Sequence, residues 1–216
     1  MKPGEFIAKQ LCRPSGFLGR VFLPRMFNVR NAALNVLTLE SLALQPHDRV
    51  LEVGFGGGYL LRRMSALVTD GLVAGVDFSP EMVGFCNKHC RSLIRDGRLV
   101  IGCANAAALP YPSGWFTKAC TVNTIFYLPS ASLAISELSR VLVEGGTLVI
   151  CFTTRKSLEN RDFSRHGLVL YEAGDARRLM ESSGFQEISM VRGVDRWREF
   201  LCAIGRKFSN TGSSGS

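Results

Sequence analysis

Val50-Leu51-Glu52-Val53-Gly54-Phe55-Gly56-Gly57-Gly58 decides the fold of this chain. A mostly apolar run with strand character enters a glycine-rich turn, and Tyr59, Leu60, Leu61, Met64 and Leu67 follow at helix-like spacing. Strand, tight turn and helix together form the nucleotide-binding corner of a doubly wound α/β domain. Glycine lets the backbone bend sharply and approach a ligand that any Cβ would hold off. Taken alone, a glycine run is more often a tight turn than a ligand loop, so the reading rests on what surrounds it.

Downstream lies Leu72-Val73-Ala74-Gly75-Val76-Asp77-Phe78-Ser79-Pro80. Its apolar run reads as a second buried parallel strand. Asp77 sits at the carboxyl end, roughly 20 residues past the last glycine, where an acid can accept from both hydroxyls of a ribose. Ser79 is suited to N-cap the next helix and Pro80 to be its first residue. The two stretches together predict a ribose-bearing cofactor at the switch point of the sheet.

A nicotinamide dinucleotide site would need a small sixth residue in G-x-G-x-x-G/A. The frame from Gly54 offers Tyr59 there and the frame from Gly56 offers Leu61, so neither fits. The pattern Glu52-x-Gly54-x-Gly56-x-Gly58 instead resembles the first motif of class I S-adenosylmethionine-dependent methyltransferases. Val76-Asp77-Phe78-Ser79-Pro80-Glu81-Met82 is similar to that family's second-strand motif. Asn105-Ala106-Ala107-Ala108-Leu109-Pro110-Tyr111 is similar to the segment after its third strand, with Asn105 where Asp is commoner. An amide oxygen accepts from the same donor. Thr121-Val122-Asn123-Thr124-Ile125-Phe126-Tyr127 resembles the end of the fourth strand. Arg140-Val141-Leu142-Val143-Glu144-Gly145-Gly146 resembles the R-V-L-x-P-G-G approach to the fifth, with Glu144 in place of Pro.

The resemblance covers about residues 30 to 205, and it implies S-adenosyl-L-methionine as cofactor. It implies that Glu52, Gly54, Phe55, Gly56 and Gly58 face the methionyl and ribose groups. It implies that Asp77 holds the ribose, that Phe78 and Met82 flank the adenine, and that Asn105 and Ala106 meet the adenine edge. Asn123 would lie beneath the methionine. The fold implied is an α/β, Rossmann-like sheet of seven strands, the last antiparallel, with helices on both faces.

Three segments are expected. Residues 1–30 read as an N-terminal arm over the cofactor and substrate mouth, extended or a broken helix because Gly16, Gly19 and Pro24 interrupt it. Residues 31–208 form the methyltransferase domain, opening with a helix capped by Asn31. Residues 209–216 read as a flexible, low-complexity tail. One helix is expected from Pro80 to about Arg95, and strands at Lys118–Asn123 and Thr147–Phe152. A helix from Asp175 to Ser183 is closed by Gly184.

At 216 residues, with 46% hydrophobic and 20% charged residues, one folded domain is the natural count. No apolar run reaches the roughly 18 residues that span a bilayer, and Met1–Glu5 leads into no secretory core. Seven cysteines at irregular spacing suit a reducing compartment, hence a cytoplasmic location. Cys86 and Cys90 are four apart, but no second pair completes a tetrahedral set, so no metal is expected. They read as two partly buried thiols on one helix.

The net charge of +8 would suit nucleic acid, anionic lipid or an acidic substrate. No aromatic-rich RNA-reading signature accompanies it. The N-P-P-Y-like turn of base-amine methyltransferases is replaced by Asn123-Thr124-Ile125-Phe126. Both points weigh against nucleic acid. The aromatic and basic arm leaves peripheral contact with a membrane or lipid open.

The activity implied is methyl transfer to a small-molecule acceptor. The alternatives are a lipid, quinone or RNA acceptor, or a cofactor-binding module without turnover. Phe126 and Tyr127 lie just past strand four, at the mouth. His166 and Tyr171 lie in the long loop after strand five, on the substrate side. His166 is a candidate base because its pKa lies near neutrality. A single His among arginines is more often a surface residue. The sequence leaves the catalytic residue, the acceptor atom and the oligomeric state open.

Overall fold

The computed structural model describes residues 22–158 and 168–208. His166, most of the N-terminal arm and the 209–216 tail lie outside them. In chain order the elements are α1 (Leu23–Arg30), α2 (Ala32–Leu42), β1 (Arg49–Val53), α3 (Tyr59–Leu67), β2 (Leu72–Asp77), α4 (Pro80–His89), α5 (Arg91–Arg95) and β3 (Leu99–Cys103). There follow β4 (Phe116–Val122), a short 3-10 turn (Ile125–Tyr127), α6 (Ala131–Val141), β5 (Leu142–Thr153), α7 (Arg155–Leu158), α8 (Ala173–Ser182), β6 (Phe185–Val194) and β7 (Glu199–Lys207).

The seven strands form one sheet in the order β3-β2-β1-β4-β5-β7-β6. β1 to β5 pair in parallel, and β7 runs antiparallel to both β5 and β6. Strand order reverses between β1 and β4, the switch point where open α/β sheets bind ligands.

Side chains alternate across the sheet, as the two-residue period requires. Val50, Val149, Cys151 and Cys202 pack with α2, α3 and α4 on one face. Leu51, Leu148, Ile150 and Leu201 pack with α6 and α8 on the other. Both faces are therefore covered by helices, and the central strands read as apolar runs for that reason.

Local signals set most helix ends. The Ser79 hydroxyl accepts from the Met82 amide, with Pro80 in the first turn of α4. Ser130 does the same for α6 through Leu133. α8 starts earlier than expected, at Ala173, because Glu172 and Asp175 form a reciprocal capping box.

Pro24 stands at the first turn of α1, where its missing N–H costs nothing. α1 and α2 are separated by Asn31 alone. Three expectations are corrected. Asn31 makes no side-chain cap. The helix after β2 breaks at Cys90 into α4 and α5. β5 begins five residues early, because Leu142 already pairs with Phe116 across an irregularity in the ladder, and Gly145 there takes φ +73°.

Among the described residues, no helix is long and apolar enough to cross a membrane.

Candidate functional site

A cleft of about 530 Å3 opens at the carboxyl ends of the central strands. That lies within the roughly 300–1,000 Å3 typical of small-molecule sites. The turn after β1 forms its floor. Gly54 has φ +77° and its amide donates to the Val76 carbonyl at 2.8 Å, locking the turn to β2. A Cβ there would collide with the Thr124 side chain, whose hydroxyl donates to the Gly54 carbonyl at 3.3 Å. Only glycine meets both demands.

Asp77 braces the same turn from the end of β2. Its Oδ2 accepts from the Gly56 amide and its Oδ1 from the Ser79 amide, each at 2.9 Å. Each carboxylate oxygen has a second lone-pair direction beyond these bonds. Burial pushes the Asp77 carboxyl up, against the pull of the Ser79, Gly56 and Phe78 amides.

Glu52, one residue before the end of β1, is buried and lines the cleft. Its Oε2 has no hydrogen-bond partner among the described residues. Burial, then the neighbouring charge of Asp77, pushes its pKa up to about 8, against the Leu61 amide. Two carboxyls thus flank one turn, and no lysine or arginine of β1, β2 or the segment after β3 lines the cleft beside them. Such a pair favours a cationic or hydroxyl-rich guest.

Gly54, Phe55, Gly56, Phe78, Met82, Asn105 and Ala106 also line this half. Their characters differ. Phe78 is 56% exposed, while the Phe55 and Met82 side chains are buried in the core below the turn. Asn105 turns its Oδ1 onto the Ala107 amide at 3.0 Å.

Gly58 does not line the cleft: it faces the core, where a Cβ would meet the Cys86 sulfur at 2.5 Å. The Cys86 thiol in turn reaches the Gly56 carbonyl at 3.6 Å. Cys86 and Cys90 are both fully buried rather than partly so. Among the described residues there is no metal-ligating cluster.

Across the switch point the cleft is walled by Asn123, Thr124, Phe126, Tyr127, Thr153, Leu158, Leu168, Leu170 and Arg198, with α1 above. Asn123 takes φ +54°, which Asn tolerates better than most residues. Its Oδ1 accepts from the Thr153 amide at 2.9 Å and the Thr153 hydroxyl at 3.1 Å. Its Nδ2 donates to Asn31 Oδ1 at 2.9 Å, which also accepts from Arg198 at 3.0 Å. Asn31 therefore ties α1 and α2 to β4 and to the β6–β7 hairpin instead of capping a helix.

Tyr171, expected on the substrate side, is not in this wall. The Arg155 amide, at the start of α7, donates to the Tyr171 carbonyl at 3.0 Å. That buries the Tyr171 ring behind Phe126 and against Phe152. Arg198, Thr153 and the leucine wall were missed in the sequence. The place of Arg198 depends on β7 returning antiparallel beside β5, which no local motif encodes.

Residues 51–150 match the family model of the methyltransferase domain. An uncharacterized methyltransferase, YdaC of Bacillus subtilis, is 25% identical over 82% of this chain and 93% of its own length. The 27-O-demethylrifamycin SV methyltransferase of Amycolatopsis mediterranei is 32% identical over 50% of this chain, which spans 40% of that protein. Among solved structures, a chain of the complex between the Trm112 methyltransferase activator and a methyltransferase of Haloferax volcanii superposes with TM-score 0.74. It is 17% identical, over 88% of this chain and 95% of that one, a likeness of fold. The sheet order, the turn after β1 and the family match agree: residues 51–150 are similar to a methyltransferase domain, on the Rossmann-like fold of the methyltransferase structures.

Proposed function

We propose that this cleft binds S-adenosylmethionine on the β1–β3 side and passes its methyl group to a small-molecule acceptor on the β4–β5 side. The carrying observation is the Glu52–Asp77 pair. Two acids flank the turn, and the buried Oε2 of Glu52 has no hydrogen-bond partner among the described residues, so a ligand cation is the natural complement. A nicotinamide dinucleotide would bring a pyrophosphate against the same turn, where the charge of Asp77 disfavours it.

The residues present fit the cofactor. Glu52 suits its ammonium group, the second lone pairs of Asp77 suit the ribose hydroxyls, and the exposed ring of Phe78 suits the adenine face. Gly54 and Gly56 keep the floor low, and Asn105 keeps a second acceptor direction toward the adenine edge. The cofactor supplies a methyl carbon already activated on a sulfonium. The protein's work is then alignment and exclusion of water, which supply much of the acceleration without a general base. Phe126, Tyr127 and the leucine wall are placed to do both.

Calorimetry with S-adenosylmethionine and S-adenosylhomocysteine tests the site. Asp77→Ala is expected to lose at least about tenfold in affinity, near 1.4 kcal/mol. An unchanged affinity would falsify the role given to Asp77. Incubating metabolite extracts with isotopically labelled cofactor tests the reaction. Cofactor binding with no labelled product from any extract would favour the module without turnover.

A further inference from the structure

α1 meets the rest of the protein with one side and turns the other to solvent. Asn28 donates to the Gly57 carbonyl and Phe27 lies over Gly56, so that side is held to the turn after β1. Phe22, whose backbone is already helical, and Val29 are two helical turns apart and share the opposite side. They are 59% and 65% exposed. The tip of the β6–β7 hairpin abuts the C-terminal end of α1, where Arg198 donates to the Arg30 carbonyl and to Asn31 Oδ1. Val194 and Trp197 at that tip are 74% and 41% exposed. Four large apolar side chains are thus presented to solvent beside the mouth of the cleft, which Arg30 and Arg198 line.

The charge around them is of one sign. Residues 22–31 hold two arginines and no acid, and residues 190–198 hold three arginines and one acid, Asp195. That acid is engaged inside the hairpin. Its Oδ1 accepts from the Trp197 and Arg198 amides at 2.7 and 3.0 Å, and its Oδ2 lies 3.7 Å from Arg198 Nε. Among the described residues Arg30, Arg192 and Arg196 enter no ion pair. The Arg196 guanidinium lies over the Trp197 ring, 4.2 Å from its centroid.

We propose that this rim, the outer side of α1 together with the hairpin tip, docks on the surface of an anionic phospholipid bilayer. Phe22, Val29, Val194 and Trp197 enter the headgroup boundary, and the arginines pair with lipid phosphates. A Trp with a cation beside it suits that interface, where one end of the side chain is apolar and the other wet. RNA fits less well: aliphatic tips offer no ring for a base to stack on, and Arg196 already covers one face of Trp197. A second copy of the chain fits less well too, because a two-fold contact would set the same arginines against each other. The proposal does not depend on the methyl-transfer reading.

Trp197 reports on its own docking once Trp115, the other Trp of the chain, is replaced. Trp115 lies at the amino end of the sheet, and Trp115→Phe keeps a ring for Arg49 to pack on. That protein is mixed with vesicles of phosphatidylcholine alone, or of equal parts phosphatidylcholine and phosphatidylglycerol. Trp197 emission is expected to shift to the blue with the anionic vesicles. Partition onto them should be at least about tenfold stronger than onto neutral ones and should fall with salt. Val29→Asp with Val194→Asp is expected to weaken that partition at least about tenfold, and Arg192→Gln with Arg196→Gln by a similar factor, about fivefold for each charge removed. None of the four lines the cleft, and thermal melting near the wild-type midpoint checks that both variants fold.

Equal partition onto both vesicles, no partition, an unshifted Trp197 emission, or partition unchanged in both variants overturns the proposal. Binding to polyuridylate without binding to the anionic vesicles assigns the arginines to nucleic acid and overturns it as well. A dimer that Val29→Asp breaks, in protein that ignores vesicles, does the same.

Discussion

At the scale of single residues, Glu52 carries most of the information. A carboxyl pushed up to about 8 holds its proton at neutral pH in the ligand-free fold. In the unfolded chain it ionises near 4.5. Between those values the unfolded state binds fewer protons than the folded one, so stability falls as pH rises through the window. Asp77, also raised, acts in the same direction. Thermal melts of the ligand-free protein are expected to drop from about pH 5 to about pH 8, by an amount worth a few kcal/mol. Glu52→Gln, which cannot ionise, should flatten most of that slope and weaken binding of the cationic cofactor. A variant whose slope matches the wild type would remove Glu52 as its cause.

At the scale of elements, the sheet has two ends with separate jobs. The carboxyl end makes the cleft, and the amino end is tied together by Lys118 of β4. Its Nζ lies 3.3 Å from Asp48 Oδ2, just before β1. It also donates to the Leu42 and Ala43 carbonyls at 2.6 Å, closing the C-terminus of α2. Burial would raise the Asp48 carboxyl, but the Gln45 amide, the Thr117 hydroxyl and Lys118 together hold it below the ordinary carboxylate value. That contribution is present above the unfolded value of 3.8 and is lost as pH falls. Lys118→Met leaves a buried carboxylate without its counter-ion, at a cost of about 3 kcal/mol in urea unfolding. Affinity for S-adenosylhomocysteine should not move, and a large change there would mean that the two ends are coupled. The elements legible in the sequence are those with punctuation: β1 and β2 end in a glycine turn and an acid, and α4 starts at Ser-Pro. The break at Cys90 carries neither Gly nor Pro and left no mark. Arg198 was illegible for a different reason. Its neighbours are Arg30 and Asn31, which lie at the other end of the chain, and only the β5-β7-β6 order brings them together.

At the scale of the whole molecule, the roof of the cleft and its floor meet at one residue. Gly57 does not take a positive φ, so alanine meets no left-handed strain there. Its missing Cβ is nevertheless where α1 sits: an added carbon would collide with the Pro24 carbonyl and the Asn28 side chain. Asn28 Nδ2 donates to the Gly57 carbonyl at 3.1 Å, and Phe27 lies over Gly56, 3.6 Å from where its Cβ would be. Gly57→Ala should therefore lift α1 from the turn while the sheet and its helices stay folded. Amide exchange at residues 27–31 is expected to speed up by at least about tenfold, with β1, β4 and β5 unchanged. Affinity for S-adenosylhomocysteine should fall with it, because the cofactor half of the cleft loses its cover. In the wild type the same ligand should slow exchange at those residues, since floor, ligand and roof become one packed unit. Unchanged α1 exchange in Gly57→Ala, or faster exchange spread over the sheet, would show that α1 does not dock through this glycine.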